Sequence, residues 1–356
     1  MTAIGVIGGY GSVGRATVAQ LRGWGLGPIV VAGRDPAKAD VVVDISEPAA
    51  VERFCASLRL VINCAAASSR IRAMVADAAA AGGVPYVDPG GDEPVYELLS
   101  GGAHPEPVVL SAGMLPGLTG LLPRHLVTER GSHLVCYVGG QDRFSPGGAA
   151  DYLAVANGAA GRTFAVWRNG ARVERAGVPP IEGEIPYFPE PASGVPFLSS
   201  EMERLAQRLD LAELVFYIVF PGSRLRATLA AARTGSVDAE ALVTASELDL
   251  FGRSQYQRLV FQLCGQPTVP TTVLSGKGSS ELTAATAAMT GLAVLEGAVP
   301  PGVHFAADVL DPAWAKEKLL TADAVTGFRT FGAGPALRGP AGSQAFLAAS
   351  MEEGAV

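Results

Sequence analysis

Histidine and cysteine are scarce in this 356-residue chain, with four of each. Cys55, Cys64, Cys136 and Cys264 form no C-x-x-C pair, and none lies near a histidine at ligand spacing. His104, His125, His133 and His304 are equally scattered. Zinc sites and disulfide scaffolds both need denser sets, so no metal is expected, and reduced thiols in a cytoplasmic protein are. Positive charge is also short. Lys and Arg number 27 against 34 Asp and Glu, a net charge of −7, which argues against nucleic acid as a partner. No apolar run reaches the length of a membrane span. The first residues run straight into a strand-like segment, which leaves no room for a signal peptide. The chain has no G-x-S-x-G, no P-loop lysine and no paired carboxylates at helical spacing, so hydrolase and kinase readings lack support.

What is present is apolar and modular. Hydrophobic residues make up 49% and charged residues 17%, the balance of a well-packed enzyme-like body, and the length favours two domains. The opening IGVIGGYGSVGRATVAQL reads as strand, tight turn and helix, with Gly9-Tyr10-Gly11-Ser12-Val13-Gly14 as G-x-G-x-x-G at the junction. Gly9 is expected to allow the sharp turn. Gly11 would let backbone N–H groups approach a pyrophosphate, and Gly14 would let the helix pack close to the strand. The helix N-terminus adds partial positive charge for the anion.

A second strand, PIVVA (28–32), ends in Gly33-Arg34-Asp35-Pro36. An NAD-preferring fold places an acid near this distance to hold the ribose 2′-OH. Here the position falls on Gly33 or Arg34, and a guanidinium suits a 2′-phosphate. Arg34, helped by Lys38, therefore argues for NADP(H), with Asp35 as an acid one step late. Asp44 ends the short strand 41–43, placed either to touch the adenine edge or to cap the next turn. LVIN (60–63) runs into Cys64-Ala65-Ala66-Ala67, where small residues let a flat ring lie against backbone, so Asn63, Cys64 and Ala65 are cofactor-binding candidates. Further strands are expected at 85–88, ending at Asp88, and at 108–112, with helices at 46–56 and 73–81. Alternating strands and helices predict a doubly wound (Rossmann) parallel sheet with ligands outside the strands' carboxyl ends.

The middle has a different texture. Strands are expected at 133–139, 214–220, 242–250 and 258–264. A hairpin is expected about Asn169-Gly170, an extended loop over 179–196, and helices at 198–209 and 225–233. This predicts a second α+β domain on a mixed or antiparallel sheet. ELTAATAAMTGLAVLEG opens a long helix that should pack back on the first domain, followed by the proline-rich 299–303 and a helix at 312–320. The expected division is 1–128 completed by 279–330, then 129–278, then a loosely held tail at 331–356.

Several stretches together resemble the saccharopine dehydrogenase-like reductases: the glycine loop, Gly33-Arg34-Asp35-Pro36, Val61-Ile62-Asn63-Cys64-Ala65, Tyr86-Val87-Asp88, Ala112-Gly113-Met114-Leu115-Pro116-Gly117-Leu118 and AAMTGLAVLEGAVPPGVHFAADVLDP. The middle, 134–273, is much less familiar. The resemblance implies an NADP(H)-dependent reductase. That family commonly reduces an imine made from an amine and a carbonyl compound. Some relatives reduce other double bonds in secondary metabolism, including on carrier-bound intermediates. Ala65-Ala66-Ala67 stands where the family often has Ala-Gly-Pro. Leu115-Pro116-Gly117 stands where its amino-acid enzymes often have Asp-Pro-Gly, which argues against a free amino acid substrate.

Reduction of an imine needs a proton for the nitrogen. Lys277 in Ser275-Gly276-Lys277-Gly278 and Tyr152 are the candidate donors, with Tyr217 and Asp142 behind them; Asp88 could bind carboxamide or substrate, or cap its own turn. His125 reads as an ordinary surface residue. Arg143, Arg168 and Arg224 could each grip a carboxylate. Two alternatives stay open: an enoyl C=C reductase acting on a carrier- or thioester-bound intermediate, and a non-catalytic dinucleotide-binding protein. A homodimer formed through the second sheet's edges is expected.

Overall fold

The computed structural model describes residues 2–156, 163–174, 176–232, 237–264, 270–332 and 337. Its strands are β1 (Ala3–Ile7), β2 (Ile29–Gly33), β3 (Val41–Val42), β4 (Leu58–Asn63), β5 (Tyr86–Val87), β6 (Pro107–Leu110), β7 (His133–Gly139) and β8 (Val166–Arg168). They continue as β9 (Ala171–Val173), β10 (Ile181–Gly183), β11 (Ala192–Pro196), β12 (Glu213–Phe220), β13 (Gln257–Cys264), β14 (Thr271–Gly276), β15 (Gly302–Phe305) and β16 (Val325–Phe331). The chain divides into two compact units. One is made of residues up to Leu122 with Ser279–Val325, the other of Pro123–Gly278 with the described residues from Thr326 on. No helix among the described residues is long and apolar enough to cross a membrane.

The first unit is a seven-stranded sheet in the order β15-β6-β5-β4-β1-β2-β3, parallel throughout. Strands covered on both faces must be apolar along their whole length, as Ile4, Val6, Ile7, Leu60, Val61 and Ile62 are, all buried. The helix Ser279–Leu295 lies against the helix Ser12–Gly23 and β4. A Cβ on Gly291 would come within 3.0 Å of Leu60, so glycine permits that approach. β15, within and beyond a segment expected only to be proline-rich, extends the sheet beside β6. A helix at Glu93–Leu99 was not expected either.

The second unit is a mixed sheet in the order β10-β11-β12-β7-β13-β14-β16, with the β8–β9 hairpin attached to β12. β12 and β7 are parallel, and the other pairs of defined register in this sheet are antiparallel. Asn169 (φ 51°) and Gly170 (φ 81°) form the β8–β9 turn, the left-handed pair that Asn-Gly supplies.

Three expectations are corrected. Residues 242–250 are not a strand but part of the helix Ala239–Leu250; Asp238 caps it by accepting from Ala241 N at 2.9 Å, and Leu242, Ala245 and Ser246 share its buried side. The segment 179–196 is not all loop, because β10 and β11 pair within it, with its prolines kept out of the ladder's interior or at its end. β16 joins β14 in the second sheet rather than finishing the first unit. Most of the expected tail lies outside the described residues, but Phe331 ends β16 and Leu337 is buried, its N–H donating to Gln262 at 2.7 Å.

Candidate functional site

Strand order reverses between β1 and β4, so their carboxyl ends open a crevice. The glycine loop fills one side of that switch point. The left-handed residue is Gly8 (φ +70°), one position earlier than expected, and a Cβ there would stand 2.9 Å from the backbone N of Ala65. Gly9 instead is needed for packing, 2.9 Å from Val31 by the same measure. Gly14 allows the helix to touch the turn, since a Cβ would meet the Gly8 carbonyl at 2.2 Å. Beside Gly11 the only such neighbour is the Gly8 carbonyl, at 3.3 Å, so that flank is open. Gly11 and Ser12 are exposed and Val13 half-buried. Gly11 is the N-cap of Ser12–Gly23, and no side chain caps the helix. Its first-turn N–H groups and about half a unit of positive charge are left for an anion.

The loop after β2 is built on Tyr10. The Tyr10 ring lies over Gly33, where a Cβ would be 2.4 Å from it. Its hydroxyl accepts from the backbone N–H of Arg34 (3.0 Å) and Asp35 (3.3 Å). Arg34 is exposed. Lys38 does not stand beside it as a second unpaired cation. It ion-pairs with Asp35 at 2.7 Å, which also accepts from Ala37 N, and these contacts hold the Asp35 carboxyl below its ordinary value. Asp44 is a turn cap, accepting from the Ser46 N–H (2.9 Å) and hydroxyl (2.7 Å). Those bonds, and after them the charge of Arg34, hold its carboxyl low.

On the other side of the switch point, Cys64 N donates to the Ile7 carbonyl and Ala65 N to Asn63 Oδ1 (3.2 Å). Burial pushes the Cys64 thiol up to about 12. Asn63 Nδ2 donates to Tyr86 Oη (2.8 Å), and Tyr86 Oη donates to Asp88 Oδ2 (2.8 Å). Asp88 Oδ1 accepts from Arg72 (2.5 Å) and from Gly90 N and Gly91 N. Arg72 Nε donates to the Ala67 carbonyl. Asp88 is thus a fully buried brace between the loops after β4 and β5, and its bonds to Gly90 N and Gly91 N are the turn-capping alternative of the sequence reading. Burial, then the Asp88 charge, pushes the Tyr86 hydroxyl well up. Arg72 and Tyr86 were not expected as partners. The signal for Arg72 was its place at the helical spacing of Val75, Ala76 and Ala79 on an otherwise apolar face.

In the second unit, Lys277 is exposed on the loop between β14 and Ser279–Leu295. The Tyr152 ring packs edge-on against Phe144 and Phe220 in an apolar cluster. Tyr217 is core, edge-on to Tyr137, with burial pushing its hydroxyl up to about 12. Asp142 accepts from Gln255. Arg143 pairs with Glu247 and Arg168 with Glu213, so neither is held ready for a carboxylate. Arg224 and His125 are exposed.

No protein-family model matches this chain, and no curated protein does. Solved structures do. The chain is similar to the apo form of saccharopine dehydrogenase (L-Glu forming) from Saccharomyces cerevisiae, at 14% identity and a TM-score of 0.62, over 93% of this chain and 100% of that one. It also aligns with the C. glutamicum DAP dehydrogenase (13%, TM-score 0.47, 91% and 100% covered). A third is the WlbA dehydrogenase of Thermus thermophilus in complex with NAD and alpha-ketoglutarate (11%, TM-score 0.41, 97% and 100% covered). The first likeness establishes a shared fold over almost the whole chain.

Proposed function

We propose that this chain is an NADP(H)-dependent oxidoreductase that reduces a C=N bond of a small molecule. The observation that carries the reading is the glycine loop at the switch point, open beside Gly11 and feeding an uncapped helix. The residues fit a dinucleotide: Gly8 and Gly14 let the turn close against Ala65 and the helix start, the flank of Gly11 is open, and Arg34 stands exposed just past β2. The fold shared with a saccharopine dehydrogenase supports the redox class.

On this reading the N–H groups of Ser12, Val13 and Gly14 hold the pyrophosphate, and Arg34 pairs with the 2′-phosphate. Gly33 and the backbone of Cys64 and Ala65 flank the rings. The Arg72–Asp88 brace keeps the Ala65–Ala67 backbone in one position, and positioning is most of the work in such a site. When bound, the nicotinamide supplies the hydride. Lys277 Nζ is the proton source for the substrate nitrogen, chosen over Tyr152 because it is exposed while the tyrosine ring is packed among aromatics.

Fluorescence titration with NADPH and NADH tests the cofactor half, with NADPH expected to bind more tightly. Binding of neither ends the reading. Amine–carbonyl pairs supplied with NADPH test the reaction. Turnover confined to enoyl thioesters would move the assignment to C=C reduction. Tight binding without oxidation by any acceptor would leave a binding protein.

A further inference from the structure

We infer that Tyr10 selects for a 2′-phosphorylated dinucleotide, acting through its hydroxyl; the inference rests on the cofactor reading above. Tyr10 occupies the first variable position of the glycine motif, yet its ring reaches the end of the neighbouring strand β2. Gly33 makes room for it, since any Cβ there would collide with the ring at 2.4 Å and with the hydroxyl oxygen at 2.7 Å. The phosphate loop and the loop that carries Arg34 are therefore one unit, joined by a rigid aromatic ring.

The hydroxyl has two lone pairs and one proton. Both lone pairs are engaged, by the N–H groups of Arg34 and Asp35. The proton has no acceptor among the described residues, so it is left to donate outward. Accepting two N–H bonds polarises the O–H and makes it a better donor. The same two bonds fix the backbone from which the Arg34 side chain departs.

The local charges favour a phosphate over a free ribose diol. A diol is usually held by a carboxylate accepting both hydroxyls. The three carboxylates that follow in sequence are already engaged, Asp35 by Lys38 and Ala37 N, Asp40 by Val31 N and Asp44 by Ser46. Lys38 pairs with Asp35 and stays exposed, its Nζ 5.9 Å from the centre of the Tyr10 ring, so this end of β2 presents the Arg34 guanidinium and the Tyr10 O–H with a further cation beside them. A phosphate dianion can accept from both, while an unphosphorylated ribose offers only a neutral acceptor.

The test uses the full chain and calorimetric titration with adenosine 2′,5′-bisphosphate, adenosine 5′-phosphate, NADPH and NADH. Tyr10→Phe keeps the ring over Gly33 and removes only the oxygen. It is expected to weaken the bisphosphate and NADPH by about tenfold or more, as for a hydrogen bond to a charged group, and to change NADH by less than about twofold. An equal loss for both cofactors, or no loss, overturns the inference. Should the variant not fold, wild-type protein carrying 3-fluorotyrosine gives a second reading: one of the eight tyrosine fluorine signals should shift with the bisphosphate and not with the 5′-phosphate. A shift with both, or with neither, overturns it. Failure of wild-type protein to bind any of the four ligands would instead overturn the cofactor reading itself.

Discussion

Arg72 and Asp88 meet at 2.5 Å with both side chains buried, and through them the loops after β4 and β5 become one piece. A buried pair of this kind costs desolvation, but removing one partner strands the other charge. Asp88→Ala is expected to lower the stability of the first unit by roughly 3–5 kcal/mol, and Asp88→Asn by less because it keeps one acceptor for Gly90 and Gly91. Chemical denaturation of both variants checks the order. A stable, fully folded Asp88→Ala would show that the brace carries little.

The glycines of the loop separate into two kinds. Gly14→Ala puts a Cβ 2.2 Å from the Gly8 carbonyl, so it should cost about 1–3 kcal/mol of stability and abolish dinucleotide binding. Gly11→Ala meets only the Gly8 carbonyl at 3.3 Å and sits at φ −70°. It should leave thermal unfolding almost unchanged while weakening NADPH binding, because its methyl enters the space the phosphate needs. Equal effects of the two on stability would contradict this division.

Arg34→Ala is expected to raise the NADPH dissociation constant by about tenfold to a hundredfold and leave NADH nearly untouched. Direct binding measurements at fixed ionic strength decide it, because the contact is exposed and screened by salt.

These positions differ in how readable they were. Strand, glycine turn and helix were legible because each signal is local, as was Asn169-Gly170 between β8 and β9. The left-handed residue was placed one position late because consecutive glycines at 8 and 9 leave the turn's register open until Ala65 is seen beside it. Residues 242–250 read as a strand although the deciding helix cap, Asp238, lies four residues upstream of where that reading starts. β14, β15 and β16 were missed because each is short or weakly patterned, and β15 and β16 are moreover made by partners far along the chain, β6 and β14. The Arg72–Asp88 pair joins a helix face to a strand end, so nothing in either segment alone discloses it.

Lys277→Met should lower kcat by about a hundredfold or more while leaving NADPH binding intact, whereas Tyr152→Phe, which keeps the ring between Phe144 and Phe220, should retain activity. Parallel steady-state and binding measurements distinguish these outcomes from the reverse.

Thiol chemistry gives an independent check. Burial pushes Cys55 and Cys264 up to about 11 and Cys64 to about 12, and raises Cys136 as well. Thiolates react and thiols do not, so native protein at about pH 8 should label slowly at all four and rapidly once unfolded. Fast labelling of Cys64 in native protein would place it in open solvent.

The first sheet is interrupted: its segment up to Leu122 is covered by Ser279–Leu295 and edged by β15, with Pro123–Gly278 of the second unit encoded between. During translation, the apolar side of β4 at Leu60 and Ile62 therefore leaves the ribosome long before the helix that will shield it has been synthesised. A sheet begun before Pro123–Gly278 is thus completed only after it, and the nascent chain must be kept from self-association throughout that delay.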